Sequence, residues 1–187
     1  DVYKRQDETE PMLITADRQT AGRGRQGKSF YSPAGTGIYM SLVLHPNADL
    51  QNAVTATTAA SVAVCKAIER LTDIKPKIKW VNDVYVNGQK ICGILTEAVS
   101  DFESGTVTSV IIGIGINIST SDFPSDIENA GCLNSDVNRN ELAAAVADEL
   151  LELSLGNYDD FIDYYISRSM IIGCKINLGT CLLYTSP

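Results

Sequence analysis

The sequence predicts an α+β fold, a mixed and largely antiparallel sheet with helices on one face. Three observations carry this. Segments of strand character outnumber the helices available as crossovers, which argues against a doubly wound parallel sheet. Two of those segments, Asp83–Asn87 and Lys90–Val99, flank Asn87-Gly88, the dipeptide preferred in two-residue hairpin turns. Asn52–Leu71 is Ala-rich, with apolar residues at helical spacing (Val54, Ala60, Val64, Ala67, Ile68, Leu71), and reads as a mostly buried helix.

The remaining elements follow in order. Met12–Ala16 is a short apolar run that fits a buried strand. Asp17–Ala34, rich in Gly, Arg, Gln, Lys and Ser, reads as a loop. Thr36–His45 has the β-branched and aromatic character of a strand. Pro76–Val81 alternates, placing Ile78 and Trp80 on one side and Lys75, Lys77 and Lys79 on the other. Strict alternation in the strand after the hairpin puts Lys90 and Cys92 on one face, Ile91 and Gly93 on the other. Thr106–Ile118 is a further strand with Gly113 and Gly115 near its end, and Ser119–Asn138 is a long polar connection. Asn138 followed by Glu141 resembles a capping box and opens an amphipathic helix over Glu141–Leu155. Tyr158–Ser169 reads as another helix, and Ile171–Leu178 as the start of a strand.

Composition narrows the function. The chain has 187 residues, 44% of them hydrophobic, enough to bury a core without disulfides or metal. No stretch approaches the ~18 apolar residues of a membrane span. The first thirty residues are polar and mixed in charge, so no secretory signal is expected. Five cysteines lie scattered with no Cys-x-x-Cys pair, the pattern of reduced thiols in a cytoplasmic protein. A single histidine, His45, leaves little room for a Ser-His-Asp triad or a His-rich metal site. The net charge of −8 argues against a nucleic-acid partner. That charge is uneven. Residues 1–28 carry Lys4, Arg5, Arg18, Arg23, Arg25 and Lys28, whereas residues 121–163 carry eleven acids and one base, Arg139. The acidic half reads as a solvated face.

Three segments carry candidate chemistry. Gly22-Arg-Gly-Arg-Gln-Gly27 matches the dinucleotide fingerprint G-x-G-x-x-G literally, but no helix follows it to receive a pyrophosphate. Its glycines let the backbone approach an anion, and its two guanidinium groups are forked, permanent donors to phosphate. A surface loop with incidental arginines is the alternative. Lys79-Trp-Val-Asn-Asp83 presents an amide (Asn82) and a carboxylate (Asp83) at a strand junction, although turn chemistry and a core Trp explain it equally well. Lys90-Ile-Cys-Gly-Ile-Leu-Thr-Glu97 and Gly113-Ile-Gly-Ile-Asn117 place glycines where a ligand ring could lie flat on a sheet, or where strands bulge or pack closely.

Together, in this order and at this spacing, with Gln19 ahead of them, the segments resemble the catalytic domain of biotin protein ligases (biotin–acetyl-CoA-carboxylase ligases). The resemblance runs roughly from Leu13 to Leu178. It implies a fold similar to class II aminoacyl-tRNA synthetases and a two-step reaction. Biotin and ATP give biotinyl-5′-adenylate and pyrophosphate, and the acyl group then passes to a lysine of a biotin carboxyl carrier protein. Both first-step substrates are anionic, so arginines and Mg²⁺ are the expected neutralisers. The reactive adenylate also needs shielding from water, which an ordering loop supplies.

The resemblance further implies roles for individual residues. Lys90 is the catalytic lysine, and Arg25 lies closest to the biotin carboxylate and the α-phosphate. Arg23, Gly24 and Arg25 form the adenylate-binding loop. Gln19 and Gly22 contact biotin, and Gly93 and Gly113 line its slot. Phe30 and Asn117 lie near the adenine, and Asn82 belongs with the ATP contacts. Asp83 is expected to orient charge in the second step, to activate the acceptor lysine or to hold Mg²⁺.

This chain departs from the family pattern in places. Val81 stands where the family usually has Pro, and Phe30 where some members have Trp. A Ser-Thr-Asn stretch expected ahead of the Arg-Gly loop has no counterpart before Leu13. Residues 7–170 are expected to be an N-terminally truncated catalytic domain. Residues 171–187 are expected to begin a small SH3-like domain that is cut short, and the ends Asp1–Gln6 and Cys181–Pro187 match nothing in the family. A strand-edge homodimer is the oligomer such a sheet would allow. The competing functions are a lipoate–protein ligase or octanoyl transferase of the same fold, and a non-catalytic nucleotide-binding module that uses the basic loop.

Overall fold

A computed structural model describes residues 10–45, 53–100, 107–156, 159–178 and 181–184. Asp1–Gln6, Tyr158 and the last three residues of the chain lie outside them.

Among the described residues, eight strands and three α-helices form, in chain order β1 Met12–Ala16, β2 Gly37–Leu44, α1 Ala53–Leu71, β3 Lys77–Lys79, β4 Asp83–Val86, β5 Gln89–Ser100, β6 Val107–Asn117, α2 Arg139–Leu155, α3 Asp159–Arg168, β7 Lys175–Leu178 and β8 Cys181–Tyr184. The first six strands make one sheet in the order β1-β2-β6-β5-β4-β3. Every neighbouring pair in it is antiparallel. Among the described residues, parallel pairing is confined to isolated bridges, Ile78 to Ser169 and Lys90 to Ala130.

The sheet is read most simply as rows across its strands. One row is Ile78, Val84, Cys92, Ile116 and Ile38, all buried. It belongs to the face that α1 covers, with Met40, Leu42, Ile94, Ile112 and Ile114 in the same core. Thr57 on α1 donates a 2.8 Å hydrogen bond to Thr96 on β5 and ties helix to sheet. α1 is buried nearly all round, being flanked by α2 and α3, and its Ala and Ser residues permit that close approach. The expected cap of α2 is present in part. The Asn138 side chain accepts from the backbone N–H groups of Asn140 (2.9 Å) and Glu141 (3.3 Å). The hairpin also forms as expected, with Asn87 at φ 51° and Gly88 at φ 78° in its turn.

Several expectations need correction. β1 is not buried. It is the edge of the sheet, and its residues are exposed or half-buried. Trp80 is not a core residue, because β3 ends at Lys79 and the indole is 58% exposed, with an edge-on contact to Tyr165. Alternation also fails between Lys90 and Gly93. Tyr85 pairs with Lys90 but Val84 pairs with Cys92, so β5 bulges at Ile91. The extra residue flips the parity, and both Ile91 and Cys92 enter the core. Lys90 and Gly93 therefore share the opposite face. Apart from the main sheet, Cys181–Tyr184 pairs antiparallel with β7 in a separate two-stranded sheet.

Candidate active site

The second row, one residue along from the buried one, is Lys79, Asp83, Gly93, Gly115 and Tyr39. Next to it runs Lys77, Tyr85 and Lys90. From these rows Lys79, Asp83, Gly93, Gly115, Tyr85 and Lys90 floor a cavity of about 900 Å³ on the face away from the helices, while Tyr39 and Lys77 lie outside its lining. Lys90 and Asp83 are diagonal neighbours across β4 and β5, and Lys90 Nζ lies 2.6 Å from Asp83 Oδ1.

The basic loop folds over this floor. Gly22 O accepts from Phe30 N (2.9 Å), and Gly24 N donates to Lys28 O (2.7 Å), which makes a narrow hairpin. Its tip turns through Gln26 (φ 56°) and Gly27 (φ 74°), the left-handed conformation in which glycine is unstrained. Two arginines pin the hairpin to the sheet. Arg23 pairs with Glu97 at 3.2 Å, and Arg25 Nη1 donates to Asn82 Oδ1 at 3.1 Å. Asn82 is itself fixed, because Nδ2 donates to Ile94 O (3.0 Å) and its carbonyl accepts from Ile94 N (3.1 Å).

The glycines of the floor admit an aromatic ring. A Cβ on Gly115 would stand 2.6 Å from Phe30 Cζ, and one on Gly93 would stand 3.1 Å from the same ring. Phe30 therefore lies on the sheet over Gly93 and Gly115, with an edge contact to Tyr39. Gly113 has ordinary space around it and leaves the floor open beside Ser41 and Leu95.

Of the residues singled out from sequence, Gln19, Arg23, Gly24, Arg25, Phe30, Asn82, Asp83, Lys90, Gly93, Gly113 and Asn117 all line this cavity. Gly22 does not. Its missing side chain makes room for the Phe30 carbonyl, Gln19 Oε1 and Ser32 Oγ, which is a packing role. Gln19 is held there, its Oε1 accepting from Ser32 Oγ at 2.8 Å. Asn117 is buried. Its Nδ2 donates to Gly131 O (3.0 Å), while its Oδ1 has no partner among the described residues.

One wall was not legible. The polar connection returns to the site, and Phe123, Asp126, Ile127, Glu128, Asn129 and Ala130 line it. Lys90 N donates to Asn129 O (2.8 Å) and Gly131 N to Lys90 O (2.9 Å), so this segment holds the Lys90 backbone on both sides. Most of the acidic run is exposed as expected, yet Asp126 and Glu128 face the cavity. No sequence pattern pointed there. Among the described residues, no group of three His, Cys, Asp or Glu could hold a metal ion, and no helix is long and apolar enough to cross a membrane.

The model of the biotin/lipoate A/B protein ligase family matches residues 3–117. The bifunctional ligase/repressor BirA of Bacillus spizizenii is 40% identical over 173 residues, covering 91% of this chain and 53% of the relative. The biotin–[acetyl-CoA-carboxylase] ligase of Mycobacterium tuberculosis is 29% identical over 178 residues, 89% of this chain and 64% of the relative. The chain thus spans about half the length of the first of these relatives and under two thirds of the second. In structure, the biotin protein ligase from Aquifex aeolicus in complex with biotin and ATP superposes with a TM-score of 0.77 at 26% identity, covering 98% of this chain and 81% of that one.

Proposed function

The chain belongs to the biotin/lipoate A/B protein ligase family, and from that membership we propose that it joins biotin to ATP and passes the biotinyl group to a carrier lysine. The observation that carries this reading is the Lys90–Asp83 pair set beside Arg25 on a glycine-opened sheet face. Two anions must meet there. Biotin's carboxylate oxygen attacks the α-phosphorus, and the bond to the β,γ-pyrophosphate breaks. Lys90 and Arg25 neutralise the charge that gathers between the reacting groups, in a cavity partly closed from water by the loop. In the second step the acceptor amine attacks the acyl carbon and AMP leaves. Asp83 is the carboxylate within reach to take the amine's proton.

Asn117, buried at the cavity wall, is proposed to lie near the adenine. Phe30 offers a ring face beside it. Arg23 and Gly24 complete the anion-binding loop, Asn82 positions Arg25, and Gln19 and Gly113 offer a slot for biotin, while the space over Gly93 is taken by the Phe30 ring and Lys90. Mg²⁺ would enter as part of the nucleotide substrate, since Mg²⁺ commonly takes one or two protein carboxylates and keeps its phosphates and waters. Asp83 is already engaged by Lys90, so no step here is assigned to a resident metal.

A biotin-accepting carboxylase domain is the proposed acceptor, and the cytoplasm the proposed site of action. Residues 7–170 are proposed as the catalytic unit, and β7 and β8 as part of a second small one. The Mycobacterium tuberculosis relative is by name a biotin–[acetyl-CoA-carboxylase] ligase and the Aquifex aeolicus neighbour a biotin protein ligase, and no described feature of the cavity favours lipoate. The test combines the protein with biotin, ATP, Mg²⁺ and a carrier domain. Pyrophosphate release and label on the carrier are expected, with lipoate a poor competitor. Absence of any biotinyl-adenylate would overturn the reading.

A further inference from the structure

The face that carries the cavity does not end at Lys90. The Lys90 row continues through Tyr85 to Lys77, and the Asp83 row ends at Lys79, both on the edge strand β3. Lys77 and Lys79 are exposed on either side of buried Ile78. Neither makes an ion pair among the described residues. Lys79 Nζ lies over the Tyr85 ring, 5.6 Å from its centroid, and also lines the cavity. Exposed Trp80 adjoins them at the end of β3. A chain of net charge −8 thus keeps, among the described residues, two lysines without an ion pair at the sheet edge, on the same face as the Lys90–Asp83 pair.

We propose that this strip, Lys77 and Lys79 with Trp80 beside it, docks an acceptor protein whose surface around the target lysine is acidic. The inference rests on the proposed biotin transfer and identifies where the acceptor sits. Charge complementarity argues for it. An acidic partner would be repelled by most of this molecule, so the strip would steer its approach to the one face from which an acceptor lysine reaches Asp83. Trp80 would add an apolar anchor of the kind that concentrates binding energy at protein interfaces.

The test is Lys77→Glu in the whole chain, because Lys77 is exposed and does not line the cavity. Two steps are measured separately, pyrophosphate release with biotin and ATP alone, and steady-state transfer to a carboxylase carrier domain. The KM for the carrier is expected to rise by about tenfold at low salt, the gap shrinking in 0.5 M salt as screening grows. Lys77→Arg should behave as the native chain, and pyrophosphate release should stay within about twofold, since a rim charge acts on docking. An unchanged carrier KM would overturn the proposal. So would an equal rise in the KM for ATP, which would assign the strip to the triphosphate. If the native chain releases no pyrophosphate, the ligase reading itself falls. If it does and Lys77→Glu is silent, only the docking surface falls.

Discussion

Two adjacent rows of one sheet differ in almost every respect. Ile78, Val84, Cys92, Ile116 and Ile38 are buried beneath the helices, whereas Lys79, Asp83, Gly93 and Gly115 line the cavity. They are one residue apart along the same strands. Because side chains alternate, a strand can give stability to one face and chemistry to the other. The first row tolerates only well-packed apolar groups. The second carries unbranched space and charge that would be costly in the core.

The comparison can be broken from either side. Ile112→Ala, on the helix side, should lower unfolding free energy by about 2–5 kcal/mol, the range for truncating a buried aliphatic side chain. Urea titration measures it, and the remaining folded protein should keep its rate of adenylate formation. Lys90→Ala, on the cavity side, should do the reverse. It should remove at least about 2 kcal/mol of transition-state stabilisation, as should Arg25→Ala, with little change in the urea midpoint. A pyrophosphate-release rate equal to the native one in either variant would contradict their assignment.

A smaller effect should come from Gly115→Ala. The new methyl meets the Phe30 ring, and overpacking of this kind costs about 1–3 kcal/mol. In a Phe30→Ala background the same change should cost less, so the two substitutions should be non-additive. Strict additivity would mean that the ring simply moves aside.

The smallest effect at neutral pH concerns the core thiols. Burial pushes Cys65 up to about 12, with Glu69 adding to it, and burial raises Cys92 well above the ordinary range. In the unfolded chain both ionise near ~8.5. Their contribution to stability is therefore complete below that pH and is lost as pH rises toward the folded value. Urea midpoints should fall between about pH 8.5 and 12, and less steeply for Cys92→Ala. Exposed Cys174 should alkylate in the folded protein while Cys65 and Cys92 do not.

Much of this molecule was legible because its signals are local. Asn87-Gly88 specifies its own turn, Asn138 caps its own helix, and the Ala-rich run from Ala53 to Leu71 can only be a buried helix. Residues that lie near Lys90 along β5 or that belong to the Arg-Gly loop were also found, since their residue types carry the chemistry. What depended on tertiary contact was missed. Trp80 looks apolar and alternating, but β3 is too short to bring it under α3. Phe123–Ala130 has no periodicity, and its place as a cavity wall depends on bridging to Lys90.

Turn propensity, hydrophobic period and side-chain charge act over a few residues, so most of the elements, one hairpin and a cluster of cationic side chains are legible along the chain. Which face each of those residues occupies is settled by tertiary packing. A single bulged residue at Ile91 inverts the alternation and sends Lys90 and Gly93 to the same side. No local rule marks that bulge. It exists because both Ile91 and Cys92 gain more from burial against the helices than the ladder loses by slipping one residue.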